Sequence, residues 1–320
     1  MPEGCDKVPM SRILTYEEIV RICRAASGLG IRRVKITGGE PFVRLGCTEL
    51  IRNIRNIDGI REVTVTTNGQ SLERYIDELR EIGVDGINIS LDTLDPDRFA
   101  FITGRGVLEK TLRGIRLAAD SGIRTKINYL PQKGFNEDEI EDIAEMAFGC
   151  GIDVRFIEMM PVGLANADAG ISNTDILNRL MKRWPDLRPD SSIHGNGPAV
   201  YYHRAGIRGA VGFISAMHDK FCAYCNRVRL TSQGQLKPCL CYDTGTDLVP
   251  YLKSSDEAGG DQELAEAIRR TILLKPAEHC FEAVAHDRRL SEEPDENTSA
   301  EHINTEHINT EHRLMSQIGG

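Results

Sequence analysis

The residues best suited to chemistry are three cysteines in the second half of the chain. Cys222 and Cys225 are separated by two residues, and Cys239 follows in a later segment. Two thiolates at this spacing can bind one metal centre from a single turn, and the third completes a three-ligand set. Three cysteines leave one iron of an iron–sulfur cluster open to bind a substrate atom, whereas a structural zinc site normally takes four protein ligands.

A zinc ribbon with Cys241 as the fourth ligand is compatible with the same pattern. Cys239 and Cys241 are one residue apart, a short interval compared with the two to four residues usual in zinc sites. This spacing favours three ligands. Arg227 and Arg229 lie two apart beside the thiolates, and arginine binds phosphate well. In the zinc alternative they are solvated surface, whereas together with a cluster they predict a site for a phosphorylated small molecule.

The composition limits the possible partners and compartments. The chain has 320 residues, 40% of them hydrophobic, and a net charge of −9. It can bury a large core, as one long domain or one domain with an appendage. The negative charge argues against nucleic acid or an anionic membrane as a partner. We find no signal peptide and no apolar run long enough to span a bilayer. A cytoplasmic location is expected, or the mitochondrial matrix if the source is eukaryotic.

The cysteine content points to reduced thiols. Nine cysteines at irregular spacing, without an export signal, favour thiols and metal over disulfides. Cys23, Cys47 and Cys150 stand among apolar residues, and we expect them to pack in the core.

Short β-like runs alternate with amphipathic helical stretches in the first half of the chain. The predicted strands cover 33–37, 62–67, 86–91, 124–130 and 153–159. Each interval is long enough for one βα unit, so a parallel sheet or barrel is expected. Thr15 and Asn136 each stand three residues before a glutamate at a predicted helix start, as in a capping box. Further on, the pattern predicts helices near 172–183 and 262–274 and strands at 200–203 and 209–213.

All five predicted strands end in polar or glycine residues, at the edge where barrel enzymes hold their chemistry. The ends read KITGGE (35–40), TTNG (66–69), SLD (90–92), KIN (126–128) and RFIEMM (155–160). An ordinary turn explains each one singly, but five together favour a functional edge. Lys126 and Asn128 are two apart in a strand and share one face. Inside a barrel they would be costly unless they bind something.

These segments, with FCxxCNRxRLT at the cysteines and a terminal Gly-Gly, resemble the GTP 3′,8-cyclase family (MoaA) of molybdenum cofactor biosynthesis. These are radical S-adenosylmethionine (SAM) enzymes, and TGGEP at 37–41 resembles the motif that holds the amino group of SAM. The resemblance covers residues 1–279 and the last eight residues. It implies an α/β fold: an incomplete (βα) TIM-like barrel, its first strand missing, with a C-terminal α+β extension that carries an iron–sulfur site.

The resemblance also implies a reaction and its cofactors. The family carries two [4Fe–4S] clusters, and the N-terminal one cleaves SAM reductively to a 5′-deoxyadenosyl radical. That radical takes hydrogen from the ribose C3′ of GTP, and the sugar carbon then attacks C8 of guanine. The product, (8S)-3′,8-cyclo-7,8-dihydroguanosine 5′-triphosphate, goes to a separate cyclic pyranopterin monophosphate synthase. A homodimer is compatible with this family.

The family's functional positions can be transferred by matching motifs. The ligands of the C-terminal cluster are then Cys222, Cys225 and Cys239. The positions that bind SAM are Gly38, Gly39, Glu40, Ser90 and Met160. The positions that contact GTP are Lys35, Thr66, Lys126, Arg155, Arg227 and Arg229. The terminal Gly319 and Gly320 are expected to reach into the active site, where a close approach excludes side chains. Lys35 stands where the family often has arginine, so its contact would be single rather than bidentate.

The start of the sequence departs from the family pattern. The family binds its first cluster through CxxxCxxC followed by a segment like MPEG, and this sequence opens with MPEG. Cys5 is a single thiol and cannot replace three. We therefore expect the chain as printed to be inactive in radical chemistry, and we interpret it as a fragment because the downstream motifs are intact. The alternative is a catalytically silent isoform that binds GTP and one cluster.

Four regions are predicted along the chain. Residues 1–161 form the partial radical SAM barrel, and residues 162–290 form the cluster and GTP-binding region. Residues 291–312 form a linker with repeats of EHINT, and residues 313–320 form the Gly-Gly tail.

Overall fold

The computed structural model describes residues 8–104, 106–162, 169–253 and 257–284. The predicted linker 291–312 and the tail with Gly319 and Gly320 lie outside the described residues. The strands are β1 (Arg33–Ile36), β2 (Glu62–Thr67), β3 (Gly86–Ser90), β4 (Arg124–Tyr129), β5 (Asp153–Ile157), β6 (Arg188–Asp190), β7 (Val200–His203), β8 (Ala210–Ile214), β9 (Arg229–Leu230), β10 (Gln235–Lys237) and β11 (Thr246–Asp247). The helices are α1 (Tyr16–Gly28), α2 (Cys47–Arg55), α3 (Leu72–Ile82), α4 (Pro96–Thr103), α5 (Leu108–Asp120), α6 (Ile140–Cys150), α7 (Asn173–Arg183), α8 (Val249–Leu252) and α9 (Glu257–Leu273). All five strands predicted in the first half are confirmed.

Capping residues define the helix ends. Thr15 starts α1 with a complete capping box, since its hydroxyl accepts from the Glu18 amide and the Glu18 carboxylate accepts from the Thr15 amide. Gly83 ends α3 in the left-handed region at φ 78°, which glycine adopts without steric cost. The second predicted capping box is wrong. Asn136 makes no cap hydrogen bond because it is fully buried, and its side-chain amide donates to two backbone carbonyls of neighbouring loops.

One eight-stranded sheet organises most of the molecule, in the order β1-β2-β3-β4-β5-β8-β7-β6. Strands β1 to β5 and β8 pair in parallel, whereas β7 and β6 are antiparallel. Three strands from the predicted region 162–290 therefore continue the sheet of the predicted barrel region. The division between these two regions stays a prediction.

The two faces of this sheet differ in chemistry. Val65, Ile87, Ile127 and Val154 are fully buried on one face, where they pack in the main core with helices α2, α3, α5 and α6. Burying one such side chain stabilises the fold by about 1.5–3 kcal/mol. The opposite face carries polar and charged residues, so the helices cover the sheet on one side only.

A second packing unit joins the N-terminal helix to the C-terminal elements. Strands β11, β10 and β9 form a small antiparallel sheet. Leu14, Ile22, Leu236, Leu264 and Ile268 share a buried cluster that connects α1, β10 and α9. No helix within the described ranges is long and apolar enough to cross a membrane.

Candidate functional site

The candidate site lies on the polar face of the large sheet. Strand pairing places Lys35 beside Thr64, and it aligns Asn88, Lys126 and Asp153 across three adjacent strands. Residues two apart in a strand project to the same side, so the alternate residues of β1 to β5 all contribute to this face. The sequence prediction that Lys126 shares a face with Asn128 agrees with this alternation.

A cavity of about 270 Å³ opens on this face. Its lining includes Lys35, Lys126, Arg155, Asp190, His194 and Tyr201. Part of the lining comes from Glu62, Gly86 and Arg124, which begin β2, β3 and β4. The cavity therefore extends toward the starts of the strands, whereas the sequence pattern drew attention to their carboxyl ends.

Lys126 is a buried cation in the lining of the cavity. Its Nζ donates to Asp153 Oδ2 at 2.6 Å and to the Tyr201 hydroxyl at 2.8 Å. Burial lowers the pKa of Lys126 to about 8, although Asp153 opposes this shift. An ammonium group has three N–H donors, and two are used in these bonds. Lys126 is thus oriented by its neighbours and can still donate to a ligand.

Arg155 is held by neutral groups. Its guanidinium donates to the side-chain oxygen of Asn128 at 2.6 and 2.9 Å and to that of Asn88 at 2.6 Å. Amide oxygens orient a guanidinium without cancelling its charge, so Arg155 contributes a buried positive charge to the cavity. Thr66 belongs to the same network, because its hydroxyl accepts from Asn88 Nδ2 at 3.4 Å.

The cations predicted to contact GTP lie close enough for their charges to interact. Burial and, to a smaller extent, the charges of Arg155, Arg227, Arg229 and Lys126 together lower the pKa of Lys35 to about 8. The side chain of Lys35 nevertheless remains accessible to solvent. Positive charges gathered in this way destabilise one another, so an anionic ligand would relieve the repulsion.

A second, smaller cavity adjoins the first. It is lined by Phe221, Tyr224, Cys225 and Arg227, together with residues 196–198. Asn196 and Gly197 line both cavities. The two cavities are therefore neighbours, one on the polar face of the sheet and the other at the segment that carries Cys225.

Cys225 has the surroundings of a metal-binding thiol. Burial alone would raise its pKa, but the amide and the guanidinium of Arg227 and the charge of Lys275 outweigh burial and lower it. The thiolate is the form that binds metal. Burial raises the pKa of Cys23 to about 12 and that of Cys47 to about 11, as expected for thiols that pack in the core.

Those two core cysteines are placed as predicted, but the third is not. Cys47 is buried, and Cys23 packs against the main core. Cys150 is exposed, so its predicted core role is wrong. It is the last residue of α6, and apolar neighbours in sequence do not ensure burial at a helix end.

The two cysteine segments are linked through Lys275. Its Nζ donates to the backbone carbonyl of Arg227 at 2.9 Å and to that of Pro238 at 2.8 Å. The guanidinium of Arg229 interacts electrostatically with both Cys225 and Cys239. Within the described residues, no group of three or more His, Cys, Asp or Glu side chains is arranged to hold a metal ion. The three-cysteine ligand set fits a cluster in donor type and surroundings and stays a prediction.

Cys241 contacts a cysteine that is not in the predicted ligand set. Its sulfur lies 2.9 Å from that of Cys280, and it is buried with Val162 and Phe281 in a small apolar cluster. These contacts disfavour the zinc alternative, in which Cys241 would be the fourth ligand.

The residues predicted to bind SAM lie outside the lining of the large cavity. A Cβ added to Gly38 or Gly39 would meet no atom within 4 Å, so the backbone there borders open space. The Glu40 carboxylate accepts from the Thr67 hydroxyl at 2.8 Å and from the next backbone amide at 2.7 Å, which ties the end of β1 to that of β2. Burial raises its pKa. Ser90 is half-buried at the end of β3.

Met160 lies apart from these residues. It packs against the apolar cluster around Val162 and Cys241. It is therefore close to the segment that follows Cys239 in the chain.

Sequence reasoning missed several residues of the large cavity. Asp153 and Asn88 each stand two residues from a predicted site residue in the same strand, so strand periodicity could have identified both. His194 stands before a glycine-rich loop and Tyr201 after it. No local pattern indicates which strand of the sheet either residue approaches. Their position depends on the pairing of β7 with β8 and of β8 with β5.

The fold and the site define the class of protein. The model of the Radical SAM superfamily matches residues 5–147, and that of Molybdenum Cofactor Synthesis C matches residues 152–281. Streptococcus suis SuiB bound to S-adenosylmethionine has a similar fold, with a TM-score of 0.55 and 15% identity, covering 85% of this chain and 70% of that chain.

Sequence similarity over more than four fifths of each chain identifies the family. The GTP 3′,8-cyclase of Clostridium perfringens (strain SM101 / Type A) is 40% identical over 282 residues, 88% of this chain and 86% of the relative. That of Alkaliphilus oremlandii is 42% identical over 289 residues, 89% and 87% of the two chains. That of Moorella thermoacetica is 42% identical over 273 residues, 84% and 83%. The chain therefore belongs to the GTP 3′,8-cyclase family of radical SAM enzymes, which acts in molybdenum cofactor biosynthesis.

Proposed function

We propose that this chain binds GTP and provides the substrate site at which radical SAM chemistry converts GTP to (8S)-3′,8-cyclo-7,8-dihydroguanosine 5′-triphosphate. The observation that carries the proposal is the convergence of five cations, Lys35, Lys126, Arg155, Arg227 and Arg229, on one region. In a chain with a net charge of −9, this is a local reversal of sign. A triphosphate offers the opposite charge and several acceptor oxygens for these groups.

Some residues of the site would bind the phosphate groups, and others orient the residues that bind them. Lys126 presents a free donor to phosphate, and Arg155 presents a charge that its amide neighbours orient but do not cancel. Arg227 lies in the segment between Cys225 and β9, and Arg229 is the first residue of β9. Lys35 lines the cavity with an exposed side chain. Thr66 is fixed through Asn88.

The cofactor positions are proposals as well. Cys222, Cys225 and Cys239 would hold a [4Fe–4S] cluster, since the surroundings of Cys225 favour its thiolate. SAM would bind along Gly38, Gly39 and Glu40, with Ser90 and Met160 as further contacts. When bound, the cluster and SAM supply the radical chemistry of the family. The contribution of Gly319 and Gly320 lies outside the described residues.

The proposal also covers the fold, the regions of the chain, the location and the partner. We infer a (βα) barrel that is incomplete before β1, since β1 pairs only with β2 among the described residues. We retain the four predicted regions, 1–161, 162–290, 291–312 and 313–320. We also propose that the protein acts in the cytoplasm, or in the mitochondrial matrix of a eukaryote. A homodimer is compatible with the family, and we propose that the product passes to a cyclic pyranopterin monophosphate synthase.

GTP binding by the anaerobically reconstituted chain tests the pocket. Arg227→Ala and Lys126→Ala should each lose one charge-assisted contact, which costs about 1.5–3 kcal/mol, or roughly ten- to a hundredfold in affinity. Arg116→Ala is the matched control, because Arg116 is an exposed arginine on α5. Unchanged GTP affinity in both pocket variants would show that the site has been misplaced.

Product analysis tests the reaction. In mass spectrometry of a reduced mixture with SAM and GTP, the appearance of 5′-deoxyadenosine and the cyclised nucleotide would support the cyclase reaction. GTP binding with intact SAM would support the second hypothesis, a catalytically silent GTP-binding protein.

A further inference from the structure

The loop between β6 and β7 brings a histidine into the large cavity. Its Nδ1 lies 2.9 Å from Asp153 Oδ2, and its Nε2 lies 2.9 Å from Asp190 Oδ2. The ring of this residue, His194, stacks on Tyr201 with the centroids 4.0 Å apart. The Ser192 hydroxyl lies 3.1 Å from Nε2. An imidazole contacted at both nitrogens and on one face is fixed in position, although it belongs to a loop.

Asp153 connects this histidine to the buried lysine. The same Oδ2 that faces His194 accepts from Lys126 Nζ at 2.6 Å. Asp153 therefore orients Lys126 and helps to keep it charged. Its negative charge also lies beside the place where a phosphate bound to Lys126 must sit. Charges of like sign repel strongly at such distances when little water separates them.

The two carboxylates beside His194 allow its imidazole to offset negative charge. Two carboxylates face its two nitrogens, so a protonated ring can donate to both, whereas a neutral ring donates to one. Burial raises the pKa of Tyr201, which keeps this stacking partner neutral. Arg124 and Glu62 contact the same loop and form an ion pair of 2.8 Å with each other. The carboxylates of Asp153 and Asp190 are thus the charges that His194 can offset.

We propose that His194 is a positioning residue for phosphate binding. It holds and neutralises Asp153, so that this carboxylate orients Lys126 without repelling the phosphate groups of the nucleotide. The inference rests on the proposed function, since it takes the phosphate chain of GTP as the ligand of this cavity. It assigns His194 no contact with the reacting atoms.

The test compares ligands with different numbers of phosphates. Affinities for GTP, GDP, guanosine and inorganic tripolyphosphate are measured on the cluster-loaded full chain at pH 6.5. His194→Gln should weaken binding of GTP and tripolyphosphate by about three- to tenfold, which lies in the lower part of the range of coupling between contacting residues. GDP should lose less, and guanosine should be unaffected. His203→Gln, on the neighbouring β7 and outside the cavity lining, should leave all affinities unchanged.

A double-mutant cycle separates positioning from packing. In an Asp153→Asn background, His194→Gln should change GTP affinity by less than about twofold, because the carboxylate charge beside Lys126 is gone. His194→Asn, a smaller substitution, replaces the glutamine variant if that protein does not fold.

The outcomes distinguish the inference from the proposed function. Equal losses for guanosine and GTP, or a loss that persists without Asp153, would overturn the role of His194 while leaving GTP as the ligand. If the parent binds no GTP at all, the proposed function fails and the inference fails with it.

Discussion

The buried lysine predicts a steep loss of GTP affinity at alkaline pH. Burial lowers the pKa of Lys126 to about 8, so about nine in ten of these side chains are charged at pH 7 and about one in ten at pH 9. A bound phosphate favours the charged form and raises the pKa toward its ordinary value. Binding above pH 8 therefore requires proton uptake, and affinity falls as pH rises through this pKa.

The magnitude follows from these fractions. Lys126 alone should weaken binding about tenfold between pH 7 and pH 9, which corresponds to about 1.4 kcal/mol. Lys35, with its pKa also lowered to about 8, adds a smaller increment because its side chain is accessible to solvent and screened.

Arginine substitutions supply the controls. Arginine keeps its charge throughout this range, so Lys126→Arg should remove most of the pH dependence, and Lys35→Arg only a small part. Isothermal titration in two buffers of different ionisation enthalpy would report the proton uptake directly. The guanine ring itself loses a proton at alkaline pH, so tripolyphosphate is titrated in parallel. A parent protein with constant affinity for tripolyphosphate from pH 7 to pH 9 would refute this reasoning.

Three further predictions concern metal, stability and pH. Cys222→Ala or Cys239→Ala should remove about four iron atoms per reconstituted chain, whereas Cys241→Ala should remove none; iron loss in the Cys241 variant would restore the four-ligand alternative. Leu79→Ala, at a fully buried core position, should lower the free energy of unfolding in urea by about 2–5 kcal/mol; a change below 1 kcal/mol, on the order of a surface substitution, would contradict the packing described. Burial raises the pKa of Asp92 to about 6, so the folded state binds more protons than the unfolded state between about pH 4 and pH 6. Stability should fall by about 2 kcal/mol as pH rises through this window, a slope that Asp92→Asn should abolish in chemical denaturation.

Local patterns predicted the elements but not how distant ones pair. The five parallel strands and the capping box of Thr15 follow from signals within a few residues. The insertion of β8 beside β5 does not, because the intervening α7, β6 and β7 offer no local sign of where the chain returns. Asn136 shows the same limit, since its burial against loops outweighed its suitability as a helix cap.

The site was predictable to the extent that it repeats a strand period or a known motif. Lys126 and Arg155 were found in this way, and both line the cavity. His194 was not, because its partner Asp153 is distant in sequence and is reached only once β6 and β7 have folded back along the sheet. The extension of the cavity toward the strand starts was also missed, since polar residues at the strand ends drew attention elsewhere.

The bridge formed by Lys275 has a consequence for maturation. One ammonium group holds the carbonyls of Arg227 and Pro238, and neither bond involves a metal. The entropy of closing the loop between the two cysteine arms is therefore lost when the polypeptide folds, and not when iron and sulfide arrive. Iron and sulfide would then reach two cysteine segments that the polypeptide already holds together. Loss of the Lys275 ammonium would then slow loading of the empty protein while leaving the finished centre intact.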